Sequence, residues 1–323
     1  MGNIRSSRHG SMQFWPRKRA KSELPRLRSR VFFDGVLPDG FCGYKVGMTH
    51  LIIKDTRSHS LTKNQTIVRP ATIIECPPLK VAGVRFYKKE NDCTYPFSEI
   101  FTDKVDKELA RSLSLPKPKE FPSEGYDDVR LIVYTQPKTT SIGKKAPEVF
   151  EMALSGSLDE KVAYAKDKLG KEITVNEVLK EHELVDVHGV TIGKGTQGPV
   201  KRFGVAIRSH KSEKTKRGPG SLGPWCGQQH VMYRVAHAGQ TGFHQRVERN
   251  KAIISIADDA SKINPKGGFV RYGEVKNPYI LVMGSVPGPE KRVLRLTPAA
   301  RPNSKKKTNA LQIIGISTES KQR

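Results

Sequence analysis

Between residues 201 and 250 the glycines Gly218, Gly220, Gly223, Gly227, Gly239 and Gly242, with Pro219 and Pro224, interrupt every run that could become a helix or a regular strand. A stretch so punctuated cannot bury a core of its own. It nevertheless carries cations and isolated rings, with Lys211, Lys214, Lys216, Arg217, Arg234, Arg246 and Arg249 around Trp225, Tyr233 and Phe243. A segment of that chemistry becomes ordered against a polyanion whose phosphates and bases supply what a core would. The stretch between Arg202 and Trp225, fully extended, spans up to roughly 75 Å. Loops of this length are functional or disordered, and the charge favours the first.

Charge is distributed unevenly along the 323 residues, whose formal net charge is +25. Residues 1–30 hold nine Lys or Arg and one acid, residues 194–251 twelve and two, and residues 291–323 nine and one. Residues 92–190 invert the balance, with nineteen acids against fourteen bases. Three basic blocks around a mildly acidic region imply several surfaces converging on one polyanion.

The remaining composition narrows the class. No stretch reaches the roughly 20 apolar residues that a spanning helix needs. MGNIRSSRHG opens the chain without an apolar h-region, so a soluble, cytosolic protein is expected. Cys42, Cys76, Cys93 and Cys226 form no CxxC pair, which implies a reducing compartment and no paired zinc ligands.

Residues 1–30, with no sustained apolar period, read as an extended basic arm. FCGYKVGMTHLIIKD (41–55), TIVRPATIIECPP (66–78) and KVAGVRFYKK (80–89) are β-branched and aromatic runs, with Gly43, Gly47 and Gly83 marking bends or bulges. Residues 92–182 change period. FTDKVDKELARSL (101–113) has helical spacing and VRLIVYTQP (129–137) reads as a buried strand. Capping boxes at Ser157/Glu160 and Thr174/Glu177 then open two helices, the first ended by Gly170. ELVDVHGVTIGKG (183–195), AIISIAD (252–258), NPYILVMGSVPG (277–288), KRVLRLTP (291–298) and LQIIGIST (311–318) supply further strands. The expected fold is mainly β with an α+β insertion. A closed β-barrel core would be built from 31–91, 183–200 and 251–323, with an α+β subdomain at 92–182, the arm at 1–30 and a long internal loop at 201–250.

The motifs with catalytic overtones fail on spacing. Around Gly193-Lys194, Gly189 lies one residue too close for a phosphate-binding P-loop, and Gly195 occupies the place of the magnesium-binding hydroxyl. Ser221 and Ser285 lack the GxSxG frame, and no Ser/His/Asp or Cys/His set stands out. The expectation is a binding protein without catalysis, cofactor, metal or small-molecule substrate. Its RNA-contacting residues would be Arg8, His9, Arg17, Lys18 and Arg19 in the arm and Lys194, Lys201 and Arg202 in the glycine-rich turn. Lys211, Lys214, Lys216, Arg217, Trp225, His244, Arg246, Arg249 and Lys251 would add the loop. RNA fits better than DNA because no helix-turn-helix, zinc finger or basic zipper offers a groove-reading helix.

Four ordered blocks carry a family resemblance. They are Arg8-His9-Gly10-Ser11 with Pro16-Arg17-Lys18-Arg19; Gly193-Lys194-Gly195-x-Gln197-Gly198-Pro199-Val200-Lys201-Arg202-x-Gly204-Val205; Ala238-Gly239-Gln240-x-Gly242-x-His244-x-Arg246-x-Glu248-x-Asn250-Lys251; and Gly284-Ser285-Val286-Pro287-Gly288-Pro289. Together they look like large-subunit ribosomal protein three, of the archaeal type. Cys226-Gly227 stands where members often have His-Pro, and Thr196 replaces a common aromatic. The resemblance implies a barrel with an inserted part, and an arm and loop that enter large-subunit (23S-type) rRNA. It further implies a tryptophan, here Trp225, near the peptidyl transferase centre, a role in early subunit assembly by the rRNA 3′ domain, and neighbouring large-subunit proteins as partners. An RNA-modifying enzyme and a free RNA chaperone are the competing classes. The first needs a convergent acid, base or metal set, and the second would not sediment with the large subunit.

Overall fold

The computed structural model describes residues 10–28, 30, 35–58, 60–103, 106–114, 116, 121–122, 125–212, 215–224, 230–303 and 311–319. They form a mainly β protein with few helices, in which two compact units are distinguished. The first takes Met1–Ser22 and Val190–Gln245, and the second Glu23–Gly189 and Arg246–Arg323.

In chain order the strands are β1 (Phe41–Asp55), β2 (Thr66–Glu75), β3 (Leu79–Glu90), β4 (Cys93–Phe101), β5 (Asp128–Tyr134), β6 (Val149–Ala153), β7 (Glu172–Ile173) and β8 (Leu184–Val190). After them come β9 (Thr196–Gln197), β10 (Gly239–Gln240), β11 (Gln245–Ala257), β12 (Tyr279–Met283), β13 (Val293–Pro298) and β14 (Leu311–Ile316). The helices are α1 (Leu158–Lys168), α2 (Val175–Val178) and α3 (Pro199–Phe203).

The second unit holds the larger sheet, ordered β13-β8-β11-β12-β2-β1-β14, in which β1 also pairs with β13. β1 changes partner along its length. Phe41 to Tyr44 lie against β13 and Leu51 to Asp55 against β14, while β2 runs along most of the other edge. From Met48 to Asp55 its residues alternate exposed and buried, as a strand with one wet face must. Leu51, Ile53, Ile73, Ile74, Ile280 and Leu294 are fully buried, each contributing about 1.5–3 kcal/mol of apolar burial. Gly47 and Gly83 sit at register shifts, the bulges expected of them. Gly43 serves close approach instead, because an added Cβ would press on Cys76 Sγ and the Glu75 carbonyl.

The smaller sheet joins β4, β3, β5 and β6, with β7 on β3. β3, expected to continue the β-rich body, pairs with β4 and β5. A buried strand pattern specifies two covered faces but not which sheet supplies its neighbours. The capping boxes are present, with Glu160 accepting from Ser157 N–H at 3.0 Å and Glu177 from Thr174 N–H at 3.4 Å.

Two helix expectations need correction. Among the described residues of 101–113 only Lys107–Arg111 is helical, as a 3-10 turn; β4 claims Phe101, and the carboxylate of Asp106 bonds Lys80 and Tyr134 instead of capping the turn. The second helix stops after one turn. Beyond it, Glu183 accepts from Lys180 N–H and Glu181 from Ile256 N–H.

Candidate nucleic-acid interface

The first unit places the arm and the glycine-rich turn together. β9 and β10 make a two-residue antiparallel ladder, Gln197 opposite Gly239 and Thr196 opposite Gln240. Beside it, Thr191 N–H donates to the His244 carbonyl (3.0 Å), Phe243 N–H to Ile192 (3.2 Å) and Lys194 N–H to Thr241 (2.9 Å). Gly242 makes this possible. Its φ is +73°, and an added Cβ would collide with the Ile192 carbonyl oxygen.

Pro199 begins α3 at a position where its missing N–H costs nothing, and Gly204, with φ +67°, ends the helix. Phe203 is the buried residue at its end. Trp15 of the arm packs on that ring with centroids 5.8 Å apart, and the Arg17 guanidinium lies 4.6 Å from its centre. The arm is tied down by two further bonds, from Ala20 N–H to the Phe243 carbonyl (2.7 Å) and from His244 Nδ1 to the Lys18 carbonyl (2.7 Å). Since a carbonyl only accepts, His244 carries its proton on Nδ1.

The expected site residues divide into four groups. Lys18, Arg19, Lys194, Lys201, Lys211, Lys216 and Arg217 are exposed in the first unit, and Arg249 is exposed in the second. Arg17, Arg202 and His244 are spent largely inside the first unit. Arg202 donates from Nε to Gln240 O at 3.1 Å and from Nη1 to His237 O at 2.9 Å, while burial and the neighbouring Arg17 charge lower its pKa. His244 is buried. Arg246 and Lys251, half-buried, belong to the second unit, where Lys251 Nζ lies 3.4 Å from Glu248. Arg8, His9, Lys214 and Trp225 lie outside the described residues.

Sequence reasoning missed the Trp15–Phe203 stack and the parts played by Gln197 and Thr241. Trp15 had the signal of an interface indole, but nothing local names Phe203, far along the chain, as its partner. Phe14 and Tyr233 remain exposed, with Tyr233 71% accessible. Among the described residues no group of three or more His, Cys, Asp or Glu could hold a metal ion, and no helix is long and apolar enough to cross a membrane.

The fold and this surface define a class: a mainly β protein bearing a glycine-punctuated unit whose exposed side chains include many cations and several rings. The family follows from comparison. The family model described as Ribosomal protein L3 matches residues 1–123 and 120–323. "Large ribosomal subunit protein uL3" of Archaeoglobus fulgidus is 46% identical over 325 residues, covering 98% of each chain. The proteins of the same name from Methanothrix thermoacetophila (41%, covering 100% of this chain and 99% of that one) and Methanosphaera stadtmanae (44%, 98% and 97%) are similar throughout. These archaeal relatives are named as ribosomal subunit proteins and not as enzymes. The chain belongs to the ribosomal protein L3 family.

Proposed function

We propose that this chain is a structural constituent of the cytoplasmic large ribosomal subunit that binds large-subunit rRNA. The observation that carries the reading is the first unit itself. Its exposed side chains include Lys18, Arg19, Lys194, Lys201, Lys211, Lys216 and Arg217, on a backbone held both by short turns and by hydrogen bonds between residues 191–195 and 241–244. Exposed cations on a glycine-punctuated backbone suit the close approach of a phosphate backbone.

The finer parts of the reading have separate support. In the larger sheet the pairings run β13-β8-β11-β12-β2-β1 and return to β13, which favours a closed barrel as the platform. The segments 1–30, 31–91 with 183–200 and 251–323, 92–182, and 201–250 act as arm, body, insertion and rRNA-entering loop, with β3 shared into the insertion's sheet and residues 190–200 into the first unit. Trp225, at the far point of the excursion from Arg202, approaches the peptidyl transferase centre, and the rRNA 3′ domain and neighbouring large-subunit proteins complete the surroundings. This last part follows from the family resemblance.

Crosslinking of Trp225 and the arm to rRNA within intact subunits tests it. Crosslinks to 3′-domain and peptidyl-transferase nucleotides are expected, and crosslinks confined to other regions would refute the placement. Trp225→Ala is expected to leave incorporation into subunits intact while altering tRNA accommodation or fidelity. Unchanged decoding and peptide-transfer kinetics would remove that role.

A further inference from the structure

Within the first unit, Lys194, Gln197, Lys201 and Thr241 line a cleft of about 380 Å³. Lys194 and Lys201 are exposed, and neither has a carboxylate partner among the described residues. Gln197 gives one amide N–H to the Lys194 carbonyl at 2.8 Å, which fixes the group and leaves its second N–H for another acceptor.

Thr241 is held from both sides, its N–H on Gly195 O and its carbonyl accepting from Lys194 N–H, each at 2.9 Å. Its hydroxyl differs. Oγ1 is buried and has no hydrogen-bond partner among the described residues. A hydroxyl left so costs roughly 5- to 150-fold in an equilibrium constant, which something meeting it would recover. Next to Gln197, Gly198 has φ −70°, where any residue is comfortable, and an added Cβ would touch nothing within 4 Å among the described residues. Those residues therefore give no packing reason for the missing side chain.

We propose that this cleft seats one phosphodiester group of the bound RNA. Lys194 and Lys201 neutralise it, and the Gln197 amide and the Thr241 hydroxyl, turned one staggered step about χ1, donate to its non-bridging oxygens. Two cations and two neutral donors around one space suit a group that is anionic, has several acceptor oxygens and has no donor of its own. The inference rests on the RNA-binding reading above, and it assigns Arg202 a different part. That residue positions the 237–240 segment and is not a ligand of this phosphate.

The test measures binding of the full chain to a large-subunit rRNA transcript across a salt series. Lys194→Gln and Lys201→Gln are each expected to weaken binding, and the two together to flatten log K against log salt by about 0.7–0.9, the share of one phosphate. Thr241→Val removes a neutral donor, so it is expected to weaken binding about tenfold at unchanged slope. Its free-chain urea midpoint is expected to stay equal or rise, because an unpaired hydroxyl is gone, whereas a merely structural threonine would lower it. Thr241→Ser is expected to bind as the parent does. If the parent binds with a steep salt slope but all three variants match it, the seat is wrong and the RNA reading stands. If the parent shows no preference for this rRNA over an unrelated RNA of equal length, the RNA reading falls and takes the seat with it. Inorganic phosphate that displaces the transcript at micromolar concentration would mark a free-anion site and overturn the phosphodiester assignment.

Discussion

The imidazole of His244 holds the main-chain carbonyl of Lys18 at 2.7 Å, so a side chain at the close of the long excursion fixes the N-terminal arm. His244→Ala removes that donor and leaves a hole beside Ala20, whose N–H lies on Phe243 O. The expected result is faster amide exchange at residues 10–22 and 190–195, corresponding to about 1–3 kcal/mol of lost local stability, with β1 and β12 unchanged. Exchange that is unaltered in the arm would show that the bond does not hold it.

Arg202 and Lys201 are neighbours with opposite commitments. Because Arg202 bonds Gln240 O and His237 O, Arg202→Ala is expected to loosen the first unit by about 1–3 kcal/mol, read as protease sensitivity near residues 237–240. Lys201→Gln is expected to leave protease sensitivity alone. Equal sensitivity in the two variants would contradict this division.

Gly242→Ala combines a positive φ with a collision at the Ile192 carbonyl. The turn must deform, at a cost of about 1–3 kcal/mol. A variant that unfolds at the same urea concentration as the parent, with the same exchange rates at residues 190–195, would show that the turn relaxes freely.

His188 sets a pH dependence in the second unit. Burial, reinforced by the Arg295 and Arg249 charges, lowers its pKa from near 6.5 to about 4, and its ring Nε2 lies 3.2 Å from Thr297 Oγ1. The folded chain thus keeps a neutral imidazole where the unfolded chain takes up a proton. The stability is present above pH 6.5 and is lost as pH falls from there to about 4, up to about 3 kcal/mol in all. Urea unfolding of His188→Gln is expected to be flatter over that window than the parent. Parallel curves would exclude His188 as the source.

Legibility differed by level. The strands beginning at Phe41, Thr66, Asp128, Tyr279 and Val293 lie where β-branched runs and turn-formers put them, and both capping boxes open helices. Those signals are local. The assignment of β3 to the smaller sheet was not legible, since the mostly buried run of Leu79–Glu90 specifies two covered faces in either setting. The 101–113 helix shortened among the described residues to the turn Lys107–Arg111, before which Asp106 bonds Lys80 and Tyr134, both remote in sequence.

For the candidate site, residue types were legible and their allocation was not. Arg202 and Lys201, or His244 and Arg249, look alike as cations or donors in a basic run, yet one of each pair is turned inward. The sequence by itself determined the family, the mainly β character and the basic, glycine-punctuated segments, because composition, period and motif order are properties of the chain read in one dimension. Only the tertiary structure decided that Trp15 would stack on Phe203, that His244 would hold Lys18, and that Thr241 would line a cleft with its hydroxyl unpaired. Those outcomes depend on which distant backbone and side-chain groups meet when the chain closes its long loops, and no local pattern encodes that choice.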